Sequence, residues 1–498
     1  MIEKTGVKNI LKNKMARVLF VIPRVKSLFG DEYARPGHPH VGIAYLSAYL
    51  KQDGIAVAIF DAGVENGEEA LGHLIHSFEP ELIGVTVFSY CYHLAEEVIQ
   101  TIRTYTQSPI VVGGPHVSAT KGEILENRNI DFAIKGEGEI TLLELVRAIQ
   151  NGERGYGKID GLVWRDGGHI VENPDRPYIN DLDALPFPDY EAFDLAKYLN
   201  TAEEKRLPLI TSRGCPYGCN FCSVRLSMGR RFRPRSPENT VEEIAYWYEK
   251  GWWRFDINDD CFNLDLQRAL RICNLILERG LKISYQLYNG IRADRVTKEL
   301  LERMKKSGCN FLSYGCESGN DKILKVIKKG LTLEKVRQAV AWSNEVGIRN
   351  SVNFIIGHPH ETYQTAIETI DFARSLPTDF VNMYNLVPYP GTDLYHWIKQ
   401  NGRFLVDEKT YLSGIAAYDD NPIFETKEFP REERVKALKK GRALYERRVI
   451  QFRLGKTLGY LGYLLMRIRP LAQIGRTLVL SNKLGNKIYL LLSRGSRE

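Results

Sequence analysis

At 498 residues the chain is too long for one ordinary domain, and with 44% apolar residues it can bury a large core. Its eight cysteines fall three in one short loop and five among apolar segments, a distribution unlike a disulfide framework and suited to a reducing cytoplasm. The net charge of +7 is uneven: residues 431–498 hold 17 Lys and Arg against 4 Asp and Glu, so the rest of the chain is acidic and only the tail invites an acidic partner.

The basic first 16 residues lead into an apolar run over 18–23 that is too short for a signal peptide and reads as a strand. From there to residue 150, β-rich runs at 17–23, 56–61, 82–88, 110–113 and 131–134 alternate with helical patterns such as 41–52. This alternation predicts a doubly wound parallel sheet, flavodoxin-like in its five strands, with ligands bound beyond the carboxyl ends of the strands. Those ends carry His38-Pro39-His40-Val41-Gly42, Thr86-Val87-Phe88-Ser89, Gly113-Gly114-Pro115-His116 and Gly136-Glu137-Gly138-Glu139. Glycines at successive turns let backbone approach a flat, bulky ligand, although a phosphate or nucleotide pocket uses the same turn chemistry. Residues 151–205 read as a connector, with a hairpin at Asp166-Gly167-Gly168 and an extended stretch through Pro177, Pro186 and Pro188.

Over 206–395 the alternation resumes with strands at 207–211, 254–258, 284–287, 310–314, 351–356 and 380–387. Six such units predict a partial (β/α) barrel with its chemistry at the carboxyl ends of the strands. The loop after the first of them reads Gly214-Cys215-Pro216-Tyr217-Gly218-Cys219-Asn220-Phe221-Cys222. Three thiolates in a Cys-x3-Cys-x2-Cys spacing can hold three irons of a 4Fe-4S cubane and leave the fourth open. A structural zinc site wants four closed ligands, and no fourth Cys or His lies near the loop, Cys261 being the closest cysteine along the chain.

This loop, with an aromatic residue before its third cysteine, resembles the signature of the radical S-adenosylmethionine (radical SAM) superfamily. The resemblance covers about 207–392 and continues strand by strand. Asn258-Asp259-Asp260 stands where the superfamily faces the SAM amino group, although two aspartates in a helix-starting loop also serve as N-caps. Arg292, in Asn289-Gly290-Ile291-Arg292, is placed as a partner for the SAM carboxylate or as a surface arginine. Gly315-Cys316-Glu317-Ser318-Gly319 resembles the run that addresses the ribose or methionyl end. Ile356-Gly357-His358-Pro359-His360-Glu361-Thr362 resembles an adenine-side run in which His360 replaces the usual glycine, a departure that puts the local turn in question. Phe221 completes the implied SAM contacts. The strand-end runs of 1–150 in turn resemble the cobalamin-binding domain found ahead of many such barrels. The implied cobalamin contacts are Pro39, Gly42, Thr86, Phe88, Ser89, Gly113, Gly114, Pro115, His116, Gly136, Glu137 and Gly138. The Asp-x-His-x-x-Gly motif that supplies a histidine to cobalt is missing; Asp61-Ala62-Gly63 sits where it would begin.

The resemblance implies an enzyme with a 4Fe-4S cluster, SAM and cobalamin as cofactors, fed by an electron donor such as flavodoxin or ferredoxin. Its radical chemistry would methylate an unactivated carbon of a small substrate, a lipid-like one if the basic tail meets a bilayer. An oxidative cyclase or rearranging enzyme, and a non-catalytic cobalamin- or redox-sensing protein, are the competing readings. A methylthiotransferase would need a second three-cysteine cluster, and the amino-terminal domain has only Cys91. Residues 396–498 read as a helical basic extension: a charged helix over 427–452, an apolar stretch over 454–468 and an amphipathic stretch to 492. Such a tail suits either peripheral contact with anionic lipid at the inner face of the membrane or a cap over the open barrel; aromatic-and-basic interleaving for nucleic acid is missing.

Overall fold

The structure, a computed structural model, describes residues 15–26, 33–65, 67–412, 416–455, 457 and 460. Two compact units are present. One is made by the chain up to Leu207 with Ser223–Gly229 and a short run from Leu412; the other is made by Pro208–Cys222 and the remaining chain from Arg230 on.

In the first unit β1 (Arg17–Ile22), β2 (Ala56–Asp61), β3 (Leu82–Thr86), β4 (Ile110–Gly113), β5 (Phe132–Ile134), β6 (Leu162–Asp166) and β7 (His169–Glu172) form one sheet in the order β2-β1-β3-β4-β5-β6-β7. The first five are parallel, which gives the flavodoxin-like order 2-1-3-4-5. Every residue of β3 is buried, as a parallel strand covered on both faces requires. The hairpin at Asp166-Gly167-Gly168 forms, but β6 pairs antiparallel with β5 and so extends this sheet instead of standing apart as a connector. Helices α1 (Val41–Gln52), α2 (Gly67–Phe78), α3 (Tyr92–Tyr105) and α4 (Glu139–Gln150) accompany the sheet. Leu19, Val85, Ile99 and Val112 belong to the core beneath α2 and α3.

The second unit holds β8 (Arg206–Leu209), β9 (Arg254–Ile257), β10 (Ser284–Ile291), β11 (Cys309–Glu317), β12 (Arg349–Ile356) and β13 (Phe380–Asn385), in sequential order in one six-stranded sheet. From β9 to β13 every pairing is parallel. The intervening helices are α5 (Pro237–Glu249), α6 (Leu266–Glu278), α7 (Lys298–Lys306), α8 (Leu333–Glu345) and α9 (Tyr363–Ser375). Ser236, Asp265, Thr297, Thr332 and Thr362 accept from the first free N–H groups of these five helices in turn. Each helix therefore starts just past the loop that follows a strand. Helix α10 (Asp393–Asn401) runs across residue 395, where the barrel was expected to stop, and α11 (Arg431–Leu454) packs on β13 and α9. The expected apolar and amphipathic stretches of the tail lie almost wholly outside the described residues. Among those described, no helix is long and apolar enough to cross a membrane.

Candidate functional site

In the second unit the chain leaves β8 through Ser212–Arg213, which pairs with Arg233–Pro234, and enters the three-cysteine loop. Gly214 turns at φ 82, left-handed backbone that glycine adopts freely, and its N–H donates to Asp260 Oδ2 at 2.8 Å. The Cys222 N–H donates to the Cys219 carbonyl at 3.2 Å, and the Asn220 N–H donates to the Ile327 carbonyl at 3.2 Å. Cys215, Cys219 and Cys222 are partly exposed and unbridged, while the other five cysteines are buried. The Cys261 thiol donates to Cys215 and holds its pKa down to about 6, whereas burial raises that of Cys219.

Among the described residues no three His, Cys, Asp or Glu side chains converge as one metal ion would require. The donor set is three thiols presented separately by one loop, with Arg292 and Lys329 close enough to favour thiolate. That chemistry fits a cluster with one thiolate per iron.

The polar residues at the neighbouring strand ends divide into those that build the site and those that are free to face it. Asp259 is 1% exposed and spent on structure: its carboxylate accepts from the Thr211 N–H, Thr211 Oγ1 and Ser212 Oγ, each at 2.6 Å, and so fixes the approach to the cysteine loop. Asp260 holds Gly214 and, pushed up to about 6 by burial, remains partly accessible. The Arg292 fork is divided: Nε pairs with Asp294 at 2.9 Å, Nη2 donates to the Lys329 carbonyl at 2.8 Å, and the guanidinium lies 3.5 Å from the centre of the Tyr217 ring.

Glu317 stands at a register shift between β11 and β12, in left-handed backbone at φ 75, with Lys329 Nζ 2.8 Å from its carboxylate. Strain of this kind in a non-glycine residue concentrates at functional sites. Ser318 and Gly319 face α9 instead: Ser318 Oγ lies 3.2 Å from Thr369 Oγ1, and a Cβ on Gly319 would come within 2.6 Å of Thr369 Cα. Ile356 is packed with Ala366, Phe429 and Leu438. Gly357, at φ 117, donates its N–H to Glu361, as does the His358 N–H at 3.1 Å. His360 takes φ 59 and sets its ring edge-on to Trp397 at 5.4 Å, so histidine occupies the left-handed turn where the resemblance expects glycine. Phe221 packs on Ile323, Leu324 and Ile327 and lies 5.7 Å from the His358 ring, next to the buried Pro359.

The expectation that no fourth cysteine lies near the loop is corrected by Cys261, which the fold brings against Cys215, and two further residues carry no role in the sequence reading: Lys329, and His358, whose Nε2 lies 3.3 Å from the Glu317 carbonyl. Only adjacency to the motif residues could have marked Cys261 and His358, and nothing local separates Lys329 from other charged residues at helix ends. Of the tyrosines on and after β13, Tyr384 borders a cavity while Tyr411 is buried with its hydroxyl donating to the Pro388 carbonyl at 2.9 Å.

In the first unit the parallel strands bring the four runs to one edge. The Ile43 N–H donates to His40 Nδ1 at 3.1 Å, which leaves Nε2 to carry its proton toward Thr86 Oγ1 at 3.3 Å. The rings of His40 and Phe88 lie 5.4 Å apart, and Tyr90 stacks on Phe88 at 5.4 Å. His116 Nδ1 is 3.1 Å from Ser89 Oγ, with the Tyr92 ring 4.3 Å away. Burial holds His40 and His116 down to about 4, so both are neutral. A Cβ on Gly114 would meet the Val87 carbonyl at 2.8 Å, Pro115 opens the short helix that follows, and a Cβ on Gly113 would meet open space. The Gly136 N–H donates to Ser118 Oγ, Glu137 accepts from the Ile179 N–H at 2.8 Å, and Gly138 caps α4 against Leu46. Gly42 packs over the His40 ring beside the buried Pro39. The edge therefore combines an aromatic ledge, neutral imidazoles and an open glycine turn, a cradle that fits a flat ligand. Asp61 is used internally, accepting from the Tyr198 hydroxyl and the Gly63 N–H at 2.8 Å each. His93 pairs with Glu97 at 3.0 Å.

Residues 209–373 match the radical SAM superfamily and residues 32–146 match the B12 binding domain. An uncharacterised methyltransferase of Pyrococcus horikoshii is 31% identical over 86% of this chain and 92% of its own. The anaerobic magnesium-protoporphyrin IX monomethyl ester cyclase of Rubrivivax gelatinosus is 28% identical over 76% of this chain and 69% of its own. The radical S-adenosylmethionine methyltransferase TsrM of Kitasatospora setae, solved with cobalamin and a [4Fe-4S] cluster bound, shares the fold at a TM-score of 0.70, with 19% identity over 93% of this chain and 99% of that one.

Proposed function

The chain belongs to the radical SAM superfamily, in the group that carries a B12 binding domain ahead of the barrel, and from this premise we propose that it is a cobalamin-dependent radical SAM methyltransferase acting on an unactivated carbon of a small molecule. The observation that carries the reading is the pairing, in one chain, of a three-thiol loop at the mouth of a partial barrel with a glycine-turned, aromatic-floored sheet edge in the preceding unit. When bound, the cluster with SAM supplies a carbon-centred radical and cobalamin a transferable methyl group. The chain's own part is to hold and to exclude water. Cys215, Cys219 and Cys222 ligate the cluster, Asp260 and Glu317 offer carboxylates to a cationic or hydroxyl-bearing ligand at the strand ends, and Gly357 lets backbone come close. Phe88, the Gly113-Gly114 turn and His116 form the seat for cobalamin. A small redox protein delivers the electrons, and the basic tail rests on anionic lipid.

The relationship to the cyclase supports a second reading, ring formation without net methyl transfer, and product mass separates the two. Anaerobic reconstitution with iron, sulfide, cobalamin, SAM and a reductant should give 5′-deoxyadenosine. Cys219→Ala should abolish both the cluster's visible absorbance and that product. A full cluster that yields no 5′-deoxyadenosine would remove the enzyme reading. Metabolites from cells with and without the protein should differ by a species one methyl group heavier.

A further inference from the structure

A cavity of about 660 Å³ lies inside the partial barrel, along β10–β13 from Arg349 and Phe380 at their amino-terminal ends to Asn289 and Tyr384 near their carboxyl ends, with its remaining wall supplied by Tyr418 and α11. Its lining at Asn289 and Tyr384 reaches toward the strand-end site, Tyr384 lying within electrostatic reach of Glu317. Four residues of β11 separate Ser313, which lines it, from Glu317, about 13 Å at the rise of a strand.

The lining has two kinds of surface. Across the strands runs a polar ladder: Ser351 Oγ donates to Ser313 Oγ at 2.7 Å, Asn353 Nδ2 donates to Ser313 Oγ at 3.0 Å, and Asn382 Nδ2 donates to Asn353 Oδ1 at 2.8 Å. Beside it Gln286 is only 7% exposed, and no hydrogen bond to its side-chain amide is found among the described residues. Its amide borders the cavity, where a ligand can take up its donors and acceptor. Beside the ladder on the same strands stand rings that meet others from outside the sheet: Phe311 stands 6.4 Å from Phe380, Phe380 stands 4.5 Å from Phe452 of α11, and Tyr384 stands 5.2 Å from Tyr418. Two arginines complete the lining, Arg349 on β12 and Arg453 on α11, and among the described residues no carboxylate does.

We propose that this cavity binds the recognition end of an elongated substrate, a planar-ring compound bearing a carboxylate, phosphate or sulfonate, while its reacting carbon lies at the strand ends. The inference rests on the methyltransferase or cyclase reading for the second half of that statement and on the cavity alone for the first. The rings take up a flat apolar body, Gln286 and the Ser/Asn ladder supply directed hydrogen bonds, and the arginines match the anion. The dimensions call for length, because a compact substrate held by the ladder would leave its carbon far from Glu317. Helix α11 sets the fit, since Tyr445, Val449, Phe452 and Arg453 all come from it.

Fluorescence titration of the full-length protein tests this with two probes that share a ring system, 1-anilinonaphthalene-8-sulfonate and the uncharged N-phenyl-1-naphthylamine. The expected result is saturable one-to-one binding, with the sulfonate about tenfold tighter, an advantage that R349Q removes. Val449→Trp should fill the cavity and abolish binding of both. Arg349 is exposed, so R349Q keeps the test valid if V449W fails to fold. Equal affinity for the two probes, or binding untouched by both variants, would overturn the proposal. 5′-Deoxyadenosine formation by the same reconstituted preparations reports separately on the activity. Probe binding without it sinks the enzyme and leaves the pocket, and the converse sinks the pocket and leaves the enzyme.

Discussion

His360 holds φ 59 beside Gly357 at φ 117, so the turn after β12 keeps a left-handed residue where the family resemblance expects glycine. A histidine tolerates this region at modest cost, whereas a β-branched residue does not. His360→Gly should leave the urea midpoint nearly unchanged, the relief of strain offsetting the lost contact with Trp397. His360→Val should lower stability by about 1–2 kcal/mol; equal midpoints for the two variants would mean that the turn is not left-handed. His116 offers a pH test. It is 3% exposed, and burial lowers its pKa to about 4 from the ordinary 6.5, so the native state binds fewer protons than the unfolded chain between those values. Its contribution is therefore complete above pH 6.5 and is lost as pH falls toward 4, up to about 3 kcal/mol. A urea series from pH 7.5 to 5 should fall less steeply for His116→Gln than for the parent. Motif residues were legible one at a time because their chemistry is local. That Asp259 is consumed by Thr211 and Ser212, and that Lys329 pairs with Glu317, was not, because each pairing joins residues distant in sequence.

The ten parallel strands, β1–β5 and β9–β13, were legible as elements because a short β-rich run between helical patterns marks a strand covered by helices, as the wholly buried 82–86 does. What the hairpin 162–172 pairs with was not, since its own turn fixes its register but not its neighbour. Helix packing was equally hidden. Gly319 reads in the sequence as part of a ligand run, yet it lies just past β11 where the chain packs against α9, and a Cβ there would meet Thr369 Cα at 2.6 Å and Phe372 Cβ at 2.7 Å. Backbone of a packed helix cannot step aside for a methyl group, so Gly319→Ala should cost about 2–3 kcal/mol by forcing the two elements apart. Gly218, where a Cβ meets nothing within 4 Å, supplies the control: Gly218→Ala should leave the denaturation midpoint within about 0.5 kcal/mol. A G319A midpoint as mild as that would show that the close approach is not rigid.

At the scale of the molecule the charge is divided between a slightly acidic body and a basic end, and the structure divides that end again. Residues 431–454 form α11, which packs on β13 and α9, buries Arg434 and Leu438 and walls the barrel cavity, so this part of the positive charge belongs to the fold. The chain from 456 on still carries eight Lys and Arg against one Glu, interleaved with leucines, and it retains the composition expected of a segment that lies on anionic lipid. A truncation meant to test membrane contact must therefore end at Gly455. One ending near residue 420 would strip α11 from the barrel and fail for reasons of folding. The full-length protein should float with vesicles containing phosphatidylglycerol and not with phosphatidylcholine alone, and each basic residue near the surface contributes on the order of 1 kcal/mol. Raised salt should weaken the association, because exposed charges a Debye length apart are screened. The version ending at Gly455 should remain in the dense fraction while still forming 5′-deoxyadenosine at the parental rate. If it floats as well as the full chain, contact belongs to the body of the protein; if neither floats, the tail has no lipid role, and its charge must be explained by another acidic partner.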